Sequence, residues 1–427
     1  MRVTTHALTA VLLLAVAACT ANPSPTVSPN PSPVPTMSSG ATWPPTNAPS
    51  ACCTAAPSPV PTVAPTPTVA PTAPPTPIAD WTRPELIAQG EFQDTDVVVD
   101  SQGATHVAAA GSGADNRGIW YFTRSSGSWT AERVSTPAAV QGFEGSEFDD
   151  QPAITVDAED NSVYIAFNRS CAVSTCPYPS EGVYIVNNRG GIWSDPSRFA
   201  GGQNASPSLI VEGQHVHLVY SRGDAIRHGW GTAPGDWQAE RLARDGRSPT
   251  IQINPHGGMN VLYSTDKGIR LAYLIPGANV TQVVPGSGNG YSPRLFVEMK
   301  DPGTGDARIH AAWNGTDEWG VSYAVLSEGL WSDPITAIPD ADLTGLAAYD
   351  GAVHLIARDT LAVHWNRLTY ATNASGPFAA IEVAANGGEW SALAVDAIGR
   401  PHIVFALSDP RLPRSEQGVW YVIGPSV

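Results

Sequence analysis

The sequence predicts an all-β fold, a seven-bladed β-propeller whose ring closes through strands from both ends of the domain, and three observations carry that expectation. A four-part phrase recurs seven times between Asp80 and Val427. The polar residue that opens its second strand (His106, Tyr164, His217, Asn260, His310, His354, His402) returns at intervals of 58, 53, 43, 50, 44 and 48 residues, which is blade length rather than helical-repeat length. The last phrase, Gly418-Val419-Trp420-Tyr421, lacks the Trp-initiated strand that follows its counterparts, and the missing piece stands at the other end as Trp81-Thr82-Arg83-Pro84. A unit divided in this way is how a ring of repeats fastens itself. No amphipathic helical stretch interrupts the region.

The chain opens with a positive start, Met1-Arg2, and an apolar run from Ala7 to Ala18, the length of a signal segment rather than of a membrane-spanning helix. It ends in Val16-Ala17-Ala18-Cys19, where small residues before a Cys resemble the bacterial lipobox. Residues 1–18 are therefore expected to be a lipoprotein signal peptide and Cys19 the acylated first residue of the mature protein; the alternative is an ordinary secretory signal. Acylation would hold the chain on the outer face of the bacterial cell membrane.

Residues 20–79 hold 18 of the chain's 39 prolines and no Asp, Glu, Lys or Arg. Such a composition buries no core, so 19–79 is expected to be a disordered Pro/Thr/Ala-rich tether of polyproline II character. At about 3.1 Å per residue it would reach roughly 190 Å. Cys52 and Cys53 interrupt it without an evident physical role.

From Asp80 onward the four parts repeat. A small polar residue, often followed by Pro, precedes an apolar strand: Gln151-Pro152, Ser206-Pro207, Ser248-Pro249 and Ser292-Pro293, with degenerate versions near Thr95, Thr344 and Ser391. A turn rich in Asp and Gly follows, as in Asp100-Ser101-Gln102-Gly103. The second strand enters through the polar ring, and the third opens at Gly118, Gly182, Ala225, Gly268, Gly320, Ala362 or Gly418. A tight turn then leads to the outer strand at Trp129, Trp193, Trp237 or Trp331.

The histidines of the ring occupy equivalent positions in separate blades, so they are not expected to converge on one metal ion. A structural role is expected instead, an imidazole hydrogen-bonding backbone, with Tyr164 and Asn260 substituting. Glu144-Gly145-Ser146-Glu147-Phe148-Asp149-Asp150 has the oxygen density that Ca²⁺ prefers but lacks an EF-hand phrase. Solvated surface is the preferred reading there, and no cofactor is expected. Cys171 and Cys176, in an exported chain, are expected to form a small-loop disulfide. The formal net charge of −16 and the presence of only two lysines, Lys267 and Lys300, argue against nucleic-acid binding. A monomer is expected.

The pattern resembles the sialidase-like, BNR-repeat superfamily of propellers over nearly all of 80–427. Ser125-Ser126-Gly127-Ser128-Trp129 and Ser327-Glu328-Gly329-Leu330-Trp331 sit where that superfamily carries its Asp-box turn, keeping Gly and Trp but lacking the Asp and one residue of spacing. The resemblance implies an arginine triad for a substrate carboxylate, a Tyr–Glu nucleophilic pair and an Asp acid/base. No local motif matches the family's first-blade Arg signature. The catalytic candidates are Arg169, Arg222, Arg247, Tyr291, Arg358, Asp149 and Asp150, with Asp94, Glu318, Glu389 and Arg414 available on the same loop face. The ligand-binding candidates are Arg169, Arg222, Arg247, Tyr291, Trp319, Arg358, Trp390 and Arg411. Two functions stay open: a non-catalytic, lipid-anchored module recognising glycan or an envelope protein, and a divergent sialidase-like glycoside hydrolase or lyase.

Overall fold

The structure, a computed structural model, describes residues 81–137, 147–171, 181–203, 205–232, 235–254, 258–275, 278–301, 306–315, 319–360, 367–385, 387–409 and 411–426. The signal segment, the tether with Cys19, Cys52 and Cys53, and the residues Glu144, Cys176 and Glu318 lie outside them. Every regular element among the described residues is a β-strand.

Seven antiparallel sheets form the blades of a propeller. The inner strands, in blade order, are Phe92–Val99, Glu147–Val156, Ala205–Glu212, Arg247–Ile253, Tyr291–Asp301, Ala341–Tyr349 and Trp390–Val395. Second strands follow at Thr105–Gly111, Val163–Cys171, His215–Arg222, Met259–Thr265, Asp306–Gly315, Ala352–Asp359 and Pro401–Leu407. Third strands are Gly118–Arg124, Gly182–Asn187, Ala225–Thr232, Gly268–Ile275, Gly320–Ser327, Leu368–Thr372 and Gly418–Ile423. The outer strand of blade 7 is Glu85–Gln89, which pairs antiparallel with Gly418–Ile423, as the divided repeat requires. Thr82 reinforces the joint: its amide donates to the Ile423 carbonyl at 3.0 Å, and its Oγ1 accepts the Ile423 amide at 2.9 Å.

The polar-Pro phrase does a different job from the one expected. It does not begin the inner strand but forms a bulge within it. In blades 2 to 5 the pairing slips across Gln151-Pro152, Ser206-Pro207, Ser248-Pro249 and Ser292-Pro293. The residue before each proline has a left-handed φ of 47–52°, and Asp94 in blade 1 has 46°. Proline has no amide to give a ladder, so it is placed where the ladder is already broken. The bulge also leaves strand residues above it, four in blade 2 (Glu147–Asp150) and one each in blades 3 to 5 (Ala205, Arg247, Tyr291), and these lie at the loop face.

Apolar packing runs between blades. Alternation along each strand sends one set of side chains to each neighbour. Ala108, Ile119 and Tyr121 of blade 1 thus meet Ile154, Val163 and Phe167 of blade 2, while Val97 and Val107 meet Val404, Ala406 and Val419 of blade 7.

The histidine ring is structural, but its partners are side chains rather than the backbone that the sequence suggested. Nδ1 of His106, His310, His354 and His402 lies within hydrogen-bond distance of the hydroxyl of a third-strand tyrosine: Tyr121 at 2.6 Å, Tyr323 at 2.7 Å, Tyr370 at 2.6 Å and Tyr421 at 2.5 Å. On the other side, Nε2 meets Asp100, Glu298 and Asp396 for His106, His310 and His402, each at 3.2 Å. Each tyrosine is capped in turn by an aromatic side chain from the next blade: Trp193 on Tyr121 at 4.9 Å, Phe378 on Tyr323 at 5.5 Å, Trp81 on Tyr370 at 5.0 Å and Trp129 on Tyr421 at 4.9 Å. The tryptophans that mark the outer strands are therefore inter-blade contacts, and Trp81 fills that place for blade 7.

Two outcomes follow from this packing. A Cβ on Gly418 would lie 2.1 Å from the Ala88 carbonyl oxygen, in the closing pair of strands. Gly418→Ala should cost about 2 kcal/mol or more, read from urea unfolding of the full chain. Buried His354 has its pKa pushed down to about 4 by desolvation, against about 6.5 in the unfolded chain. Protonation then favours the unfolded state, so the stability His354 allows is full above pH 6.5 and falls away as the pH drops toward 4. His354→Asn, the residue blade 4 uses there, should remove up to about 3 kcal/mol of that pH dependence in denaturation series from pH 7 to 4.

Candidate functional site

The loop face is built where inner strands begin and second strands end. Register places opposing residues there directly across from one another: Asp149 from Arg169, Tyr291 from Asn314, and Asp342 from Arg358.

In blades 5 to 7 these positions form a connected polar group. The Tyr291 hydroxyl donates to Asp342 Oδ1 at 2.9 Å. Asp342 Oδ2 accepts from Arg358 Nε at 3.1 Å and Nη2 at 3.0 Å. Arg358 Nη1 lies 3.4 Å from Glu389 Oε1. Burial, and beyond that the Asp342 carboxylate that accepts its proton, pushes the Tyr291 pKa up to about 12. Trp319, immediately before the third strand of blade 5, is 68% exposed, and its carbonyl accepts the Asp340 amide at 2.9 Å. The phenol is thus fixed in direction, on the same rim as an open indole.

In blades 1 and 2 the arrangement is closed. Arg169 grips Asp149 through Nε–Oδ1 at 2.6 Å and Nη2–Oδ2 at 2.8 Å, and Ser135 Oγ donates to the same carboxylate at 2.6 Å. Arg169 also lies over the Tyr184 ring at 4.7 Å. Arg169 is 8% exposed and Asp149 1%, so this pair is part of the interior. Asp150, beside it, accepts from Asn168 Nδ2 at 2.9 Å. Desolvation is the main cause that raises its pKa to about 7, with the charges of Asp94 and Asp149 adding to the shift. Asp94 is raised too, by burial first and by Glu389 to a lesser degree, although the Gln151 amide opposes this.

The remaining candidates are scattered. Arg247 pairs with Asp224 at 2.9 Å on open surface. Arg411 is held by Asp409 at 2.7 Å, also exposed. Arg222 and Arg414 are exposed, and Gln89 Nε2 donates to the Arg414 carbonyl at 3.2 Å. Trp390 is half-buried among the side chains between blades 7 and 1, and its carbonyl accepts from Thr95 Oγ1 at 2.9 Å. Four of the six candidate arginines, Arg169, Arg247, Arg358 and Arg411, thus carry a carboxylate partner from the chain itself.

Asp342, the hub of the blade 5–7 group, was not singled out by the sequence reading. The signal was there in blade 2, where an Asp at the start of an inner strand faces an Arg at the end of the second. No group of three or more His, Cys, Asp or Glu able to hold a metal ion occurs among the described residues. Cys171 ends the second strand of blade 2 and is disulfide-bonded; because Cys176 lies outside the described residues, its pairing stays a proposal.

No protein-family model matches the chain, and no curated protein matches it by sequence. Solved structures with a similar chain course include the extracellular domain of a putative hybrid two-component system from B. thetaiotaomicron, with TM-score 0.49 and 12% identity over 80% of this chain and 39% of that one. A Hadza microbial sialidase gives TM-score 0.47 and 11% identity over 78% of this chain and 65% of that one. An α-L-arabinanase from Penicillium chrysogenum, solved with arabinobiose, gives TM-score 0.46 and 13% identity over 72% of this chain and 99% of that one. The assignment of the fold rests on the strand pairing described above.

Carboxyl chemical shifts followed by NMR should give Asp150 a midpoint near 7. Asp94→Asn removes one of the charges that raise it and should move the midpoint down, whereas Asn168→Ala removes a donor that lowers it and should move the midpoint up.

Proposed function

We propose that this protein is an exported recognition module that binds a glycan on the rim of blades 5 to 7 without turning it over. The observation that supports this most is the series Arg358–Asp342–Tyr291. A nucleophilic tyrosine needs a base free to take its proton. Asp342 is instead neutralised by Arg358, and the Tyr291 proton is held well above neutral pH. Such a phenol is a fixed hydrogen-bonding group, and with an exposed indole on the same face of blade 5 it suits a polar ring with one apolar face. The pairing of four candidate arginines with the chain's own carboxylates also disfavours three of them meeting on one substrate carboxylate.

Exported placement follows from the signal segment. In this reading Cys19 carries the lipid anchor, residues 19–79 hold the propeller away from the membrane, and a Cys171–Cys176 bridge stiffens the blade 2 loop. The protein acts as a monomer, without metal or nucleic acid.

One observation favours a second reading as a glycoside hydrolase. Asp150 holds its proton to about pH 7 beside other carboxylates, which is the state of a general acid. Binding and turnover separate the two. Isothermal titration of the full chain against neutral and acidic oligosaccharides should show saturable binding that Trp319→Ala weakens by about tenfold, the scale of one well-placed aromatic contact. Absence of binding across the panel would overturn the proposal. Release of chromophore from aryl glycosides, lost in Asp150→Asn, would establish the second reading instead.

A further inference from the structure

The propeller axis holds a cavity of about 640 Å³ lined by inner strands of all seven blades. Two residues beyond each polar-ring residue, the second strand pairs with one inner-strand residue, and these seven partners make a single layer around the axis. Five are small: Ala153, Ser208, Thr250, Gly345 and Ala392. The exceptions are Asp96 in blade 1 and Arg294 in blade 5, three blades apart and therefore on opposing walls.

The charges of this cavity are unevenly satisfied. Asp96 accepts the Val97 amide at 2.9 Å and the Ile154 amide at 2.8 Å. Asp94 accepts the Gln151 amide at 3.3 Å, and Glu389 is drawn to Arg358 at 3.4 Å. Each carboxylate that lines the cavity has a donor. Arg294 has only the Thr344 carbonyl, reached by its Nε at 3.1 Å. Its two terminal nitrogens make no hydrogen bond or ion pair among the described residues, and desolvation lowers its pKa, with the Asp96 charge across the layer opposing. Thr250 of the adjoining blade also lines the cavity, although its hydroxyl is sealed from solvent and has no hydrogen-bond partner among the described residues. A half-buried guanidinium on the cavity wall, with both terminal nitrogens unpartnered, is a site for one anion.

We infer that this layer of the central cavity binds a small monocarboxylate, its two oxygens on the terminal nitrogens of Arg294. The planar fork of a guanidinium matches a carboxylate in this way. A single charge is required, because Asp94, Asp96 and Glu389 share the cavity and disfavour a dianion. The volume admits a ligand of a few carbon atoms with room for water. The site lies within the axis rather than on the rim of blades 5 to 7, so it stands independently of the glycan reading.

The site is linked to pH through Asp96, whose burial raises its pKa to about 6. Arg294 across the layer, with Asp94 and Glu389 toward the loop face, are the charges that meet it. A carboxylate entering this space binds best when Asp96 is protonated, so affinity rises as the pH falls through 6.

Calorimetric titration of the full chain with acetate and propionate tests this directly. Affinity should rise by up to about 20-fold from pH 7.5 to 5.5, the change in the protonated fraction of Asp96. Arg294→Met should abolish binding, and Asp96→Asn should tighten it at pH 7.5 and remove the pH dependence. Wild-type protein that takes up neither acid, or binding that survives Arg294→Met, overturns the inference. Should Arg294→Met fail to fold, Asp96→Asn decides: loss of the pH dependence supports the site, and an unchanged dependence sinks it.

Discussion

The structure depends on how seven inner strands satisfy their backbone polar groups around an axis where no strand has a ladder partner on its inner side. Side chains answer this by reaching one blade onward. Asp96 of blade 1 accepts the Ile154 amide of blade 2, Gln151 of blade 2 accepts the Ser206 amide of blade 3 at 2.6 Å, and Ser208 of blade 3 accepts the Ile251 amide of blade 4 at 3.3 Å. Arg294 of blade 5 donates to the Thr344 carbonyl of blade 6. The Thr344 hydroxyl meets that of Ser391 in blade 7 at 2.8 Å, and Thr95 of blade 1 returns to the Trp390 carbonyl. An unpaired buried amide costs about 1–3 kcal/mol, so polar side chains at or just past the bulge are a condition of the fold.

Such a scheme explains what the sequence could and could not disclose. Blade number, closure by the strand after Trp81, and the structural character of the histidine ring were legible because each repeats, and repetition averages out local noise. The histidine partners were legible in principle. Blades with His at the ring carry Tyr or His at the third-strand position of Tyr121, His228, Tyr323, Tyr370 and Tyr421, whereas the blades with Tyr164 and Asn260 carry Ile185 and Leu271 there. That pattern needs the third strands aligned against one another, and the blade 6 start taken at Ala362 lies outside the described residues, whose strand there is Leu368–Thr372. The loop-face group was less legible. Asp342 and Arg358 meet through register across a hairpin, and no spacing rule marks an ion pair whose role is to hold a tyrosine.

The arginines show the same limit from the chemical side. Residue type alone made Arg169 and Arg358 equivalent candidates for holding an anion. The structure separates them through burial and charge: Arg169 is sealed with Asp149 against an aromatic ring, whereas Arg358 stands partly open and orders its surroundings. Arg294 attracted no notice in the sequence because it follows Ser292-Pro293 as one more variable position. Its environment, not its type, makes it distinctive, and that environment is assembled from several blades around the axis.

The closing pair of strands bears on how the chain reaches its fold. Thr82 and Ile423 are 341 positions apart, yet they share hydrogen bonds. Six blades are local hairpin meanders that form from contiguous sequence, but the seventh closes the longest loop in the domain. Loop entropy grows only slowly with length, so the joint need not be weak at equilibrium. In time it is the most demanding contact, since non-local pairing sets the pace of β folds. Until Glu85–Gln89 arrives, the edge of Gly418–Ile423 is an unpaired strand, open to any other extended chain. The interval between making the ring and locking it is therefore when this protein is most exposed to misassembly.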